Sequence, residues 1–172
     1  NYVPLRGKEC STQQMPFISE KIPTFEEFAN ASIEDIYGDE IIDAYERKVT
    51  SFESIVLINR GNNKFDVQKL PPLAQSIPIL TSDVYDINND GFEDIVVAGN
   101  IYNTEVETPR LDNQFALVLI SNKNSNYNVI GPDKSGLYLS GNTKSIKIIG
   151  NDNPKLLVAN NNSDLEVFEL NK

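Results

Sequence analysis

The chain has 172 residues, of which 40% are hydrophobic and 23% are charged, and its formal net charge is -10. This length is sufficient for one domain with its own core, and the acidity disfavours nucleic-acid binding because an acidic chain repels phosphate backbones. Histidine is absent, which excludes Ser-His-Asp and Cys-His catalysis, histidine-bound zinc and the commonest general base.

Targeting features are scarce. No apolar run approaches the roughly 18 residues that a membrane span needs, so no transmembrane segment is predicted. The first residues have neither the charged n-region nor the apolar h-region of a signal peptide. We therefore expect a mature or excised piece of a longer chain, whose localisation must be inferred from its chemistry. Cys10 is the single cysteine; one thiol cannot form an internal disulfide, so it says little about compartment.

Residues 1–49 are predicted to form an irregular N-terminal segment with short helices. Prolines at positions 4, 16 and 23 interrupt regular structure in its first part. Thr24 followed three residues later by Glu27 is a capping-box pattern, which predicts a helix start. A second short helix is predicted from Ser32, and Gly38 would end it.

From residue 50 onward the pattern changes to short strands separated by turns. Residues 54–58 are apolar and β-branched, residues 59–63 form a turn cluster, and Phe65 and Val67 alternate with polar residues, which predicts a hairpin. The same reasoning predicts further strands around residues 77–80, 95–98, 115–120, 127–130, 145–149, 155–159 and 165–168.

Two parts of the strand region match each other at one spacing. Residues 94–100 align with residues 155–161 at an offset of 61, and residues 56–59 fall near residues 117–120 at almost the same offset. We therefore expect a mainly β fold with two four-stranded, propeller-blade-like sheets after a short helical N-terminal segment. The first unit would span residues 50–110 and the second, degenerate unit residues 111–172. A chance likeness between two generic hydrophobic hairpins is the alternative.

One segment carries recognisable chemistry. Residues 86–94 match the pattern D-x-N-x-D-G-x-x-D, which places oxygen-bearing side chains at loop positions 1, 3, 5 and 9. Calcium takes six to eight oxygen ligands, and Gly91 permits the sharp turn that such a loop needs. The predicted calcium ligands are the side chains of Asp86, Asn88 and Asp90, the backbone carbonyl of Phe92, and Asp94 either directly or through water.

The surroundings of this loop distinguish it from an EF-hand. The twelfth position, where an EF-hand has a bidentate Glu, is Val97 in an apolar strand, and no flanking helices are predicted. A loop between two strands indicates a structural clip and not a sensor. Magnesium is less suited because it retains several waters, and an Asx-rich turn without a metal is the alternative. The matching turn at residues 150–154 has one carboxylate, so no second site is predicted.

The segment Tyr85–Asn100 resembles an FG-GAP/VCBS repeat, the calcium-binding blade unit of integrin-α-like propellers. Residues 57–65 fit the hairpin of the same repeat, and residues 70–75 resemble a linker of bacterial ASPIC/UnbV-type surface proteins. The resemblance covers about residues 50–170 and implies a C-terminal fragment of a secreted or surface-attached bacterial protein with a binding or adhesion role. Two units cannot close a ring of typically four to eight blades, which implies an end fragment or a different packing.

These observations lead to an expected function. We expect a non-catalytic, calcium-stabilised binding or scaffold module of a secreted or cell-surface protein, with the periplasm as a second location. The partners would be an unknown protein or carbohydrate ligand and the rest of a longer parent chain. One alternative is a structural end piece of a larger β-propeller. The other is a carbohydrate-active enzyme domain using two carboxylates, although no spacing picks out such a pair.

Overall fold

A computed structural model describes residues 2–106, 108–122 and 126–170 of the chain. The chain divides into two compact units, residues 1–50 and residues 51–172. None of the described helices has the length and apolar character needed to cross a membrane.

The first unit is a small helical cluster. Its α-helices are α1 (Lys8–Gln14), α2 (Phe17–Lys21), α3 (Phe25–Asn30) and α4 (Ile33–Tyr37), followed by a 3-10 helix over Gly38–Ile41. Capping boxes begin α3 and α4: the Thr24 and Ser32 side chains accept hydrogen bonds from the backbone N–H groups of Glu27 and Asp35. One apolar cluster holds the helices together and contains Ile18, Ile22, Phe28, Ala31 and Ile36.

The helices α3 and α4 confirm the prediction, whereas α1 and α2 lie in a stretch that was predicted to be irregular. Pro16 occupies the N-cap position of α2. A proline at a helix start removes an N–H that has no partner within the helix, so it begins a helix there instead of interrupting one. The interpretation of Pro16 as a breaker was therefore wrong.

The second unit is built from nine described strands and two one-turn helices. The strands are β1 (Ile55–Asn59), β2 (Phe65–Lys69), β3 (Thr81–Tyr85), β4 (Asp94–Ala98), β5 (Leu117–Ser121), β6 (Tyr127–Ile130), β7 (Thr143–Ile149), β8 (Lys155–Asn160) and β9 (Glu166–Glu169). The helices are α5 (Pro72–Gln75) and α6 (Pro132–Ser135), each with proline in its first turn.

These strands form three antiparallel sheets. We call them the hairpin sheet (β1–β2), the central sheet (β3–β4–β5–β6) and the terminal sheet (β7–β8–β9). The prediction of a mainly β fold is confirmed. The prediction of two four-stranded sheets is wrong, because the described strands group as two, four and three, and they do not close a ring of blades.

The central sheet explains why the predicted grouping failed. The chain leaves β4, passes through the connection of residues 99–116, and returns so that Val96 pairs with Val118 on β5. The sheet therefore takes two strands from each side of the predicted boundary at residue 110. A long polar connection gives no sequence indication that the strands at its two ends are neighbours.

Elements nevertheless recur at a nearly constant interval along the chain. Strand β5 follows β1 at almost the same interval as β8 follows β4, as the first residues of the two pairs show: Ile55 and Leu117, Asp94 and Lys155. Helix α6 follows α5 at a similar interval. The order hairpin, proline-led helix, strand, loop, strand thus occurs twice.

Apolar clusters cover both faces of the central sheet. On one face Val97, Leu117 and Leu119 pack with the segment after β2, which contributes Leu70, Ala74 and Ile77. On the other face Val96 and Val118 pack with the terminal sheet, which contributes Ile146, Ile148, Leu156 and Val158. The central sheet is therefore buried on both faces, and the loop between β3 and β4 projects from one end of it.

Candidate metal-binding loop

Residues 86–93 connect β3 to β4, which pair antiparallel and meet at Tyr85 opposite Asp94. Asp86 is half-buried next to the strand, and the residues from Asn88 to Glu93 are exposed. Asn89 and Gly91 have positive φ angles of 57° and 86°. The left-handed conformation is readily available to glycine and is tolerated by asparagine, so these residue types allow the chain to reverse tightly here.

The side chains at loop positions 1, 3 and 5 turn toward the loop interior. The backbone N–H of Asp90 donates to Asp86 Oδ1 and to Asn88 Oδ1, both at 3.0 Å. The N–H of Gly91 donates to Asp86 Oδ2 at 2.9 Å, and Asn88 Nδ2 donates to Asp90 Oδ2 at 3.0 Å. The alternating residues therefore gather three oxygen-bearing side chains around one stretch of backbone.

Asp94 has a different role from the other predicted ligands. Its side chain is fully buried, and its two oxygens accept hydrogen bonds from Ile87 N–H at 3.0 Å and from Ser121 N–H at 2.8 Å. Asp94 thereby fastens the start of the loop to the end of β5. The sequence placed it at the correct end of the loop, but nothing in the pattern indicated a partner on a strand beyond the long connection.

The loop carries negative charge without a nearby basic partner. In the described part of the chain, no ion pair involves Asp86, Asp90 or Asp94. Burial, followed by the negative charges of Asp94 and Glu93, raises the pKa of the Tyr127 phenol on the neighbouring β6.

The oxygen atoms of this loop are of the chemical types that bind a hard cation. Carboxylate, side-chain amide and backbone carbonyl oxygens are the ligands that calcium takes, and each carboxylate oxygen can accept more than the single hydrogen bond described here. Within the described residues, however, no group of three Asp, Glu, Cys or His side chains converges in a way that could hold a metal ion. The side chains that converge are the carboxylates of Asp86 and Asp90 and the amide of Asn88. Asp94 is bonded instead to the backbone N–H groups of Ile87 and Ser121.

The matching turn of the terminal sheet is built differently. Residues 150–154 join β7 to β8, and Gly150 has a φ of 83°. The Tyr85 hydroxyl of the central sheet donates to Asn151 O at 3.2 Å. This turn is therefore held by a contact from the neighbouring sheet.

A second polar cluster, which the sequence analysis did not identify, joins β3 to β7. Thr81 Oγ1 accepts from Ile146 N–H at 3.1 Å, and Asp83 accepts from Ile148 N–H at 2.5 Å and from Lys147 Nζ at 2.7 Å. Burial acts to raise the pKa of Asp83, but the bonds from Ile148 and Lys147 hold it below its ordinary value of 3.8. In the sequence, the alternating polar residues Thr81 and Asp83 indicated a polar face on this strand. They did not indicate that β7 would be the partner of that face.

Comparison with known proteins finds no matching family model, no similar curated protein and no similar solved structure. The resemblance to FG-GAP/VCBS repeats therefore remains a prediction from the sequence alone, carried by residues 57–65, 70–75 and 85–100.

Proposed function

We propose that this chain is a calcium-stabilised, non-catalytic binding or scaffold module of a secreted or cell-surface bacterial protein. The observation that supports the proposal is the convergence of Asp86, Asn88 and Asp90 in the loop between β3 and β4. These side chains and the Phe92 carbonyl would hold the ion. Asp94, also in the predicted ligand set, would chiefly fix the loop from behind through its bonds to the backbone N–H groups of β5 and the loop start.

Electrostatics supports a structural use of the ion. Asp86 and Asp90 lie within one short loop, Glu93 is close in sequence, and the protein carries a net charge of -10. A divalent cation removes the repulsion between such carboxylates and adds oxygen coordination to the hydrogen bonds that the loop makes with its own backbone. Calcium would therefore stabilise the loop and the two strands that it joins.

Calorimetry with excess calcium and then with a chelator tests this proposal. A ligand that binds the folded state alone stabilises it by about 2.7 kcal/mol at about 100 times its dissociation constant, so the melting temperature of the wild type rises with calcium. Asp90→Ala abolishes the rise. Asp152→Ala, which removes an exposed carboxylate from the matching turn between β7 and β8, retains it and is the control.

Two outcomes of the calorimetry would contradict the calcium site in this loop. If calcium and chelator give the same melting temperature in the wild type, the loop is an Asx-rich turn and the calcium proposal fails. A rise that persists in Asp90→Ala and disappears in Asp152→Ala would place the ion elsewhere. A magnesium arm separates the two ions, since calcium is expected to act and magnesium is not.

A structural end piece of a larger β-propeller is the second candidate. The recurrence of elements at a nearly constant interval and the four-stranded antiparallel order of the central sheet favour it, since propeller blades are repeated four-stranded sheets. Under this proposal the central sheet is one blade, and the hairpin and terminal sheets belong to its neighbours. A tight complex with the remainder of such a parent chain would support the end piece over an independent binding module.

A further inference from the structure

Two sheet faces in the second unit carry exposed apolar side chains. The outer face of the hairpin sheet, which we call the hairpin face, consists of Ile55, Leu57, Phe65 and Val67, between 43% and 65% exposed. The outer face of the terminal sheet, the terminal face, carries the exposed Ile149 and Val167 and the half-buried Leu157, which is paired to Val167. The charged side chains of Lys147, Lys155 and Glu169 share this face. The apolar residues of the hairpin face are contiguous, whereas those of the terminal face lie among charged side chains. Exposed apolar residues grouped on one face and bordered by polar residues commonly mark interaction surfaces.

The central sheet shows what covers the equivalent of the hairpin face. When β5 is aligned with β1, and β6 with β2, the places of the four hairpin-face residues are occupied by Leu117, Leu119, Tyr127 and Val129. Leu117 and Leu119 are fully buried, and the covering residues are Val56 of β1 together with Leu70, Ala74 and Ile77. Inside the protein, the face formed by Leu117 and Leu119 is therefore covered by Val56 on the inner face of the preceding sheet and by the segment that follows that sheet.

The terminal face is equivalent to the opposite face of the central sheet. When β8 is aligned with β4, Leu157 occupies the place of Val96. Val96 is fully buried and packs against Ile146, Ile148, Leu156 and Val158 of the following sheet. The face of the central sheet that carries Val96 is therefore covered by the sheet that follows it in the chain, the terminal sheet.

The hairpin face is therefore equivalent to the face of the central sheet that carries Leu117 and Leu119, and the terminal face is equivalent to the face that carries Val96. Faces of these two types pack against each other inside the second unit. In both internal contacts, a face equivalent to the terminal face lies against a face equivalent to the hairpin face. We propose that a second copy of this chain covers them: the terminal face of one copy packs on the hairpin face of the next, continuing the internal sheet order. Such a head-to-tail contact is heterologous, and it either closes into a ring or grows as a filament.

This association does not depend on the calcium proposal, because neither face includes the loop. The net charge of -10 on each copy opposes it. Added salt screens this repulsion, so we expect association to strengthen with ionic strength and with protein concentration.

Sedimentation velocity of the full chain over a range of concentrations, in calcium and in chelator, tests the proposal. The wild type is expected to show species larger than a monomer that increase with concentration. Leu57→Lys and Val167→Lys each remove one face at an exposed position, so each variant alone is a monomer. An equimolar mixture of the two forms a dimer and nothing larger, because each variant retains the face that the other lacks.

Val106→Lys is the control, since it changes a fully exposed apolar residue outside both faces and leaves association as in the wild type. Circular dichroism of each variant separates loss of association from loss of folding. A wild type that stays monomeric at every concentration and salt would overturn the proposal and leave the faces to another partner. Association that neither single variant weakens, or a mixture that stays monomeric, would overturn the head-to-tail arrangement.

Discussion

At the scale of single residues, Asp94 shows how one buried carboxylate positions a loop. Its two oxygens receive backbone N–H groups from Ile87 and Ser121, and both bonds are partly shielded from solvent. The bonds join protein groups to one another and include no cation. The residue therefore acts on stability whether or not a cation is bound.

We predict that Asp94→Ala lowers the free energy of unfolding more than Asp90→Ala when both are measured in chelator. Removal of Asp94 takes the acceptor away from two partly buried donors, at a cost of about 1–3 kcal/mol each, whereas Asp90 is exposed. Urea denaturation monitored by circular dichroism gives both values. If the two variants lose the same free energy of unfolding, the buried hydrogen bonds of Asp94 do not stabilise the fold more than the exposed side chain of Asp90 does.

Gly99 is a second residue whose type is dictated by its surroundings. An added Cβ would lie 2.6 Å from Pro78 O and 2.7 Å from Leu80 N. Both are backbone atoms, so the neighbouring chain cannot move a side chain aside to make room.

Gly99→Ala is accordingly expected to destabilise the second unit by about 1–3 kcal/mol or more through overpacking. The control is Gly131→Ala, where the close atom is the end of the Asp133 side chain at 2.9 Å. That carboxylate can swing away, and the weaker helix start costs about 1 kcal/mol or less. Thermal denaturation of both variants checks the difference, which vanishes if the backbone near residue 78 adapts.

At the scale of elements, side-chain oxygens on β3 satisfy backbone donors of β7. The N–H groups of Ile146 and Ile148 are bonded to Thr81 and Asp83. These contacts link the central sheet to the terminal sheet without making the two strands members of one sheet. Loss of Asp83 would therefore loosen a junction and leave each sheet intact.

The Asp83 junction predicts a pH dependence. Because the pKa of Asp83 in the folded state lies below its ordinary value of 3.8, its contribution is fully present above that value. It is lost as pH falls through the lower, folded-state value. The unfolding free energy of the wild type, measured from pH 7 down to pH 2, should fall more steeply in this range than that of Asp83→Asn. Parallel curves for the two proteins would contradict the assignment.

At the scale of the whole molecule, the strands were predictable and their partners were not. Alternation and β-branched runs located β1, β2, β4 and β6 closely, because alternation reflects burial of one face and a continuous apolar run, as in β4, reflects burial of both faces. The grouping into sheets depends on which strands meet across the 99–116 connection, and that is decided by packing. Similarly, loop spacing identified Asp86, Asn88 and Asp90, whereas the contact between Asp94 and Ser121 needed the fold.

The strand order also determines how this protein can fold. Within each described sheet the spatial order is the order along the chain, so each strand pairs only with its immediate predecessor and successor. Contacts of this kind close short loops, and low contact order is associated with fast folding. Each hairpin can therefore form as soon as its two strands are available. The slowest pairing is expected to be that of β4 with β5, since it alone must close the long connection.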